Sequence, residues 1–287
     1  NRSTWAATRI VLGIEKASED LSSLNRVFYQ QVAESLEKEE ATTPEQISKL
    51  FFLFERAGIR QTKKAIEYGL IVARSLTTAK KFTEAKETLD KCLAYARLGG
   101  SQDRAEMEKL IAAERDRTNL DELALANPPA SEQDQASEAF QIESRWRARG
   151  QLPEKLIYPV LRALYGRNNG PDAREALTRV LSDVRETTSY PTWLRAEILH
   201  YRALFLQSDQ SHSDEQAAKA RALFDEAFAL IEDDEGTDNL AAYSRLLTSY
   251  VDFSPKSDDA LSMVDKSIVL KKRFNDNYGL ARSLGAR

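Results

Sequence analysis

A pattern of four positions recurs in four places along the chain, and it constrains the fold more than any single residue does. Each copy has a small residue, a larger apolar residue four positions later, and then a small or medium residue followed directly by a large one. The copies are Ala85, Leu89, Cys92 and Leu93; Ala173, Leu177, Val180 and Leu181; Ala220, Phe224, Ala227 and Phe228; and Ala260, Val264, Ser267 and Ile268. At this spacing the four side chains share one face of an α-helix. Small residues on that face allow a neighbouring helix to approach closely, so the repetition predicts stacked helical hairpins.

The composition favours an all-α fold. Ala, Leu, Glu, Arg and Lys are abundant, whereas only 11 Gly and 8 Pro are found in 287 residues. No alternating run of β-branched residues indicates a strand. The strongest break is Asn127-Pro128-Pro129, which divides a predicted N-terminal region, 1–127, from a predicted C-terminal region, 128–287.

Periodicity and capping signals predict the individual helices. Thr43 and Gln46 form a predicted capping box around Pro44, and Ser213 and Gln216 form a second one. Residues 101–126 are charged and only weakly amphipathic. We predict helices at 3–16, 19–40, 44–58, 61–78, 81–98, 131–149, 152–166, 171–187, 191–207, 214–232, 238–251 and 256–274, and a last helix from about 277.

Charge and cysteine content exclude several classes of function. The 45 acidic and 41 basic side chains leave a net charge of −4, so nucleic acid is an unlikely partner. One cysteine permits no internal disulfide and no cysteine-based zinc site, which suits a reducing cytoplasm. No apolar run approaches the roughly 20 residues that span a bilayer, and no signal peptide is evident. We therefore expect a cytoplasmic protein without a membrane partner. The chain lacks an initial Met and stops within a predicted helix, so we expect a piece of a longer protein.

The repeated pattern resembles the second helix of tetratricopeptide repeat hairpins. In that family a small residue is followed by an aromatic or Leu four positions later and by Ala three positions after that. Phe82 matches the aromatic that commonly precedes the first Ala, here Ala85. The first alanines are 88, 47 and 40 residues apart, whereas the common repeat is about 34 residues, so the chain resembles the long repeats of regulatory multidomain proteins.

This resemblance implies a right-handed α–α solenoid of antiparallel hairpins, a TPR-like superhelix. It implies one clear unit at 60–98 and further repeats within 128–287. An ordinary helical bundle with matching amphipathic helices is the structural alternative.

A Glu-x-x-His motif is the nearest approach to a metal site. Glu197 and His200 have the spacing of di-iron ligands on one helix face. Such a site needs further ligands, but the only other histidine, His212, falls in a predicted loop. We therefore expect neither a metal nor a cofactor, and we place His200 on a partly buried or concave face.

Other candidate catalytic groups are weaker. The aspartates Asp233, Asp234 and Asp238 resemble a magnesium-binding motif, but they lie at a predicted helix end and have no second motif. The segment 166–170 lacks the Gly-Lys-Ser/Thr ending of a phosphate loop. Cys92 occupies a small-residue packing position, so a place in the core is expected. We predict no catalytic site and no enzymatic activity.

The inner face formed by the first helices of the hairpins is the best candidate surface. Arginine binds carboxylates through two hydrogen bonds, and tyrosine provides rigid contact area. The candidate partner-binding residues are Arg74, Tyr158, Arg162, Tyr165, Arg202 and Arg245. A second basic cluster, Arg145, Arg147 and Arg149 around Trp146, is expected to be a solvated helix face.

These observations predict an interaction scaffold or sensor that binds a protein or peptide segment on its concave face. Other domains of the same longer chain are possible partners, which would suit a regulatory or signalling role. Two alternatives remain: an all-helical enzyme with a closed cavity, and the ligand-sensing arm of a transcriptional regulator.

Overall fold

The fold is all-helical. We describe the chain from a computed structural model, in which the described residues form helices and their connecting turns without any strand. The described residues are 19–38, 43–58, 61–98, 101–126, 129–165, 170–184, 189–207, 213–231, 236–253, 260–273, 280 and 283–284. The predictions for 3–16, Asp233, Asp234, His212 and the helix start near 277 lie outside these residues.

Twelve helices lie within the described residues. They are α1 (Glu19–Lys38), α2 (Pro44–Ala57), α3 (Thr62–Thr78), α4 (Phe82–Leu98), α5 (Ser101–Leu125), α6 (Glu132–Arg147), α7 (Glu154–Leu164), α8 (Pro171–Asp183), α9 (Thr192–Gln207), α10 (Asp214–Ile231), α11 (Thr237–Phe253) and α12 (Ala260–Arg273). Among these helices, none has the length and apolar character that crossing a membrane requires.

The predicted capping boxes are confirmed. The Thr43 hydroxyl accepts a hydrogen bond from the Gln46 backbone N–H at 3.2 Å, and the Gln46 side chain accepts one from the Thr43 backbone N–H at 3.1 Å. Ser213 and Gln216 make the same reciprocal pair before α10. Each box satisfies backbone donors that a helix start would otherwise leave unpaired.

The chain forms two compact units, Asn1–Ala130 and Ser131–Arg287. In the first unit each helix from α1 to α5 packs against its neighbours in sequence, and α3 also packs against α5. One core cluster of this unit joins residues of α2, α3, α4 and α5. Its buried members are Phe51, Ile66, Ala73, Leu89, Cys92, Ala96, Met107 and Ile111.

One close approach in the first unit requires glycine. A Cβ atom added at Gly69 of α3 would lie 2.4 Å from Cys92 Sγ and 2.9 Å from a ring carbon of Phe51. Real Cβ atoms do not approach other heavy atoms so closely. Gly69 therefore lets α3 contact α2 and α4 at once.

In the second unit, helices α6 to α12 also pack mainly against their sequence neighbours. In addition, α6 packs against α8, while α9 packs against both α7 and α11. One core cluster of this unit belongs to α9, α10 and α11. Its buried members are Ala196, Leu199, Ala203, Ala220, Phe224, Ala227, Ile231, Ala242 and Leu246. Helix α9 is thus the central element of this part of the chain.

The four-position pattern marks the buried faces of α4, α8, α10 and α12. The first three positions of each copy are buried, except Ala260, which is partly exposed. Cys92 lies in the core, as predicted.

Helix α5 is less evident from the sequence. It contacts both α3 and α4 and buries polar Glu114 and Thr118 together with Ile111 and Leu120, so its buried face is not purely apolar.

Candidate functional site

Eight side chains of the second unit form a continuous cluster of aromatic and charged groups, which we call the Tyr158 cluster. Helix α7 contributes two members and its C-cap residue a third, while α9 contributes four and α11 contributes one. The members are Tyr158, Arg162, Tyr165, Trp193, Glu197, His200, Tyr201 and Arg245.

Helical spacing brings these groups together. Tyr158, Arg162 and Tyr165 follow one another at intervals of four and three residues, which places them on one face of α7 and at its C-terminal end. Trp193, Glu197 and Tyr201 are likewise four residues apart on α9. Because α9 packs against both α7 and α11, groups from three helices meet at this face.

The Tyr158 ring is the centre of the aromatic contacts. Its centroid lies 6.2 Å from that of Trp193 and 6.4 Å from that of Tyr201, while Tyr165 lies 5.8 Å from Tyr201. Most of these pairs are edge-to-face, a favourable arrangement of aromatic quadrupoles. The rings therefore form a rigid platform that is partly open to solvent at Tyr158 and Tyr165.

Two guanidinium groups lie against this platform. The Arg245 guanidinium carbon is 4.8 Å from the Tyr158 ring centroid, and that of Arg162 is 6.0 Å away. Both distances are within the range of a cation–π contact. The Arg245 side chain is 31% exposed, so this charge is held at the surface without being immersed in solvent.

The fully buried carboxylate of Glu197 holds the Arg245 side chain in place. Arg245 Nε donates to Glu197 Oε1 at 2.5 Å, and His200 Nδ1 lies 3.1 Å from Oε2 of the same carboxylate. Glu197 is 0% exposed and His200 is 4% exposed. A charge buried in this way is tolerated only when it is paired, so Glu197 requires Arg245.

The charges of the cluster reinforce one another. Burial raises the pKa of Glu197, but the charge of Arg245 and the hydrogen bond to His200 outweigh burial, so the net shift is downward. Burial lowers the pKa of Arg245, but Glu197 outweighs this effect and the net shift is upward. Burial, Tyr158 and Glu197 raise the pKa of Tyr201 well above its usual value. The cluster thus holds ionised Glu197, ionised Arg245 and neutral Tyr201 at neutral pH.

Of the six residues predicted from the sequence, four lie together in this cluster: Tyr158, Arg162, Tyr165 and Arg245. Arg202 is on α9, where its Nη2 donates to the Leu181 carbonyl at 2.9 Å, near the C-terminus of α8. Its positive charge also suits the negative end of that helix. Arg74 belongs to the first unit, where its Nη2 contacts buried Glu114 at 3.0 Å.

Sequence reasoning missed Trp193 and Tyr201 as members of the site. The signal was present, because Trp193, Glu197 and Tyr201 repeat every four residues. It was obscured by the residues between them, which are also largely apolar and make α9 buried over most of its circumference. The Glu197–His200 motif was identified, but as a candidate ligand pair and without its link to Arg245.

The second basic cluster, predicted to be a solvated helix face, differs from that prediction at Trp146. Trp146 is fully buried, whereas Arg145, Arg147 and Arg149 are exposed around it. Arg147 pairs with buried Glu143 at 2.6 Å, and Arg149 lies over the Trp146 ring.

A cavity of about 360 Å³ adjoins Glu143 and Arg147, with Asp183 and Tyr190 also in its lining. It contains paired acidic and basic groups, so its lining shows no preference for one sign of charge.

A hydroxyl-rich group on α11 and α12 resembles a serine–lysine pair. Lys271 Nζ donates to Thr248 Oγ1 at 2.6 Å and to Ser283 Oγ at 2.8 Å. Ser283 is 0% exposed and Lys271 is 3% exposed, so a substrate has no access to either atom. These hydrogen bonds join α11 to the residues that follow it.

Across the residues that the structure describes, no three His, Cys, Asp or Glu side chains are close enough to hold a metal ion. The Glu197–His200 pair instead serves the ion pair with Arg245. The site presents guanidinium groups beside aromatic rings.

Comparison with known proteins identifies no relative. No family model matches the chain, and no match is found among the curated proteins or the solved structures.

Proposed function

We propose that the chain is a protein-interaction module and that the Tyr158 cluster binds an acidic segment of a partner protein. The observation that carries this proposal is the position of Arg245. Its guanidinium is anchored from below by fully buried Glu197, lies 4.8 Å from the Tyr158 ring centroid, and remains 31% exposed. A cation fixed in this way is organised in advance for an incoming carboxylate, which lowers the entropy lost on binding.

The charge of the cluster supports an acidic partner. Two guanidinium groups, Arg162 and Arg245, lie 6.0 Å and 4.8 Å from the Tyr158 ring centroid, whereas the carboxylate of the cluster, Glu197, is fully buried. An incoming segment therefore meets the cations first. Arginine and tyrosine are also among the residues that contribute most to binding energy in protein interfaces.

The helical packing supports an elongated binding surface. Neighbouring helices of the second unit pack in sequence, and the repeated pattern forms buried faces on α4, α8, α10 and α12. We propose that the helices are hairpins of a TPR-like solenoid, with the Tyr158 cluster on its concave face. A regulatory role within a longer chain, and a cytoplasmic location, belong to the same proposal.

The test is direct binding of an acidic probe. Fluorescence anisotropy would follow a fluorescein-labelled octa-aspartate peptide as the chain is added, with octa-lysine as the control probe. We expect octa-aspartate to bind, with an affinity that falls as the salt concentration rises, and octa-lysine to bind much more weakly. The double variant R162A/R245A should weaken octa-aspartate binding by about tenfold or more.

The matched control is Arg221→Ala, which removes an exposed arginine from α10 in the same unit. It changes the net charge of the chain by one unit but leaves the Tyr158 cluster intact. Circular dichroism should show the helix content of wild type in R162A and R221A, so R162A tests the site even where the loss of the Glu197 partner in R245A lowers stability. The single variants R162A and R245A also remove one charge each. If R221A weakens binding as much as they do, the effect is a general one of net charge, and the assignment of this site is wrong.

A further inference from the structure

His200 lies beneath the proposed binding face and shares a carboxylate with Arg245. Its Nδ1 is 3.1 Å from Glu197 Oε2, while Arg245 Nε is 2.5 Å from Glu197 Oε1. The other ring nitrogen, Nε2, is buried and has no hydrogen-bond partner among the described residues. The interactions of the ring thus connect it, through Glu197, to the cation at the surface.

Among the described residues, two aromatic rings lie close to His200. The aromatic rings of Tyr201 and Phe224 lie 5.2 Å and 5.9 Å from its ring, from α9 and α10. From α8, the Leu181 carbonyl accepts a hydrogen bond from Arg202 of α9. The titratable or charged groups in the surrounding cluster are Glu197 and Tyr201 from α9, Arg245 from α11, and Tyr158 and Arg162 from α7.

The charge of this group depends on His200. With a neutral imidazole, the charges of Glu197 and Arg245 sum to zero. A proton on His200 gives the three residues a net charge of +1. Because these groups are shielded from water, an added charge acts on the surface above them more strongly than it would in solution.

We propose that a proton on His200 strengthens the binding of acidic segments at the Tyr158 cluster, so that acidification increases the affinity of the site. This inference rests on the proposed function. Histidine is the side chain whose charge ordinarily changes between pH 5 and 8. The chain contains two histidines, so His212 provides a natural control.

The experiment compares octa-aspartate binding at pH 7.8 and pH 5.8 by fluorescence anisotropy, using the whole chain. Aspartate side chains ordinarily titrate near pH 3.9, so the peptide stays ionised over this range. We expect wild type and His212→Gln to bind about threefold to tenfold more tightly at pH 5.8, as for one added charge near a protein surface. His200→Gln, which keeps a side-chain donor for Glu197, should lose this increase.

Thermodynamic reciprocity provides a second measurement that does not depend on the folding of a His200 variant. If a proton favours peptide binding, the peptide must favour proton binding to the same extent. In the His212→Gln protein, the remaining histidine C2–H signal in an NMR titration reports His200 alone. Saturating octa-aspartate should raise the pH at which that signal is half shifted, by about half a unit to one unit.

The outcomes separate the two proposals. If octa-aspartate fails to bind at either pH, the proposed function falls and this inference falls with it. If the peptide binds and R162A/R245A weakens it, but His200→Gln retains the pH response, only this inference is wrong. An unchanged His200 titration in the presence of saturating peptide would overturn it as well.

Discussion

Replacing Glu197 with Gln should destabilise the second unit strongly, because this carboxylate is the buried anchor of the Tyr158 cluster. Glu197 is 0% exposed, accepts from Arg245 Nε at 2.5 Å and lies 3.1 Å from His200 Nδ1. Removing one partner of a buried ion pair ordinarily costs about 3–5 kcal/mol. The Arg245 side chain is 31% exposed and can recover part of its hydration, so we expect a loss of about 2–3 kcal/mol in the free energy of unfolding.

The assay is urea unfolding followed by tryptophan fluorescence and by circular dichroism. Trp146 and Trp193 lie in the second unit, so replacing Trp5 with Phe in every variant makes the fluorescence report that unit alone. The surface control is Glu215→Gln. Glu215 pairs with Lys219 in an exposed contact, so this substitution should leave the free energy of unfolding unchanged within error. Equal slopes of the free energy against urea would show that the variants unfold the same surface.

A double-mutant cycle separates the ion pair from general damage. Arg245→Gln combined with Glu197→Gln removes both charges, so the double variant should lose about 1–2 kcal/mol less than the two single losses summed. The pKa of Glu197 is lowered by folding, so its contribution is present above about pH 4.5 and is lost as the pH falls. The difference in the free energy of unfolding between wild type and Glu197→Gln should therefore disappear in acid. A single-variant loss below about 1 kcal/mol, or exact additivity in the cycle, would refute the anchoring role.

Three further predictions follow from buried groups elsewhere. Gly69→Ala should lower the free energy of unfolding of the first unit by about 1–3 kcal/mol in urea titrations, because its Cβ would overlap Cys92 and Phe51; an unchanged midpoint would contradict this close approach. Burial raises the pKa of the Cys92 thiol to about 12, so iodoacetamide at pH 8 should label it only after unfolding, and labelling of the native chain would be contrary evidence. Burial raises the pKa of Glu143, but its hydrogen bonds to Arg179 and Arg147 outweigh burial and the net shift is downward. The stability that the Glu143 carboxylate contributes is therefore lost in acid. Melting temperatures measured between pH 6 and 3 should fall less steeply in Glu143→Gln than in wild type, and parallel curves would refute this.

Local sequence signals located the helices well. The Thr43 capping box and Pro44 mark the start of α2, and Gly58 follows its last residue. These signals work because the groups involved are close in sequence and have one main structural role. Helix α8 ends at Asp183, where no glycine or proline marks the stop, and the last residues of the predicted helix at 171–187 lie outside the described part of the chain.

The candidate site was only partly accessible from the sequence. Helical spacing showed that Tyr158, Arg162 and Tyr165 share a face of α7, because that relation is local. The pairing of Arg245 with Glu197 joins residues 48 positions apart, and no local pattern identifies such a contact. Arg74 shares its residue type with the members of the cluster, but the structure places it in the first unit.

Helix α5 illustrates a second limit of prediction from the sequence. Its apolar residues alone do not form a clear stripe, since Glu114 and Thr118 are buried with them. Thr118 contacts the Thr77 hydroxyl at 3.1 Å, and Glu114 pairs with Arg74. Polar residues that are paired across helices cannot be recognised as buried until the partners are known.

Selection from a random peptide library tests the central claim most directly, because it presupposes nothing about the partner. Twelve-residue peptides displayed on phage would be selected against the immobilised chain and then screened against R162A/R245A and R221A. We expect selected sequences rich in Asp and Glu that bind wild type and R221A but are lost with R162A/R245A. Neutral or basic sequences, or acidic ones that still bind R162A/R245A, would contradict recognition of acidic segments at the Tyr158 cluster.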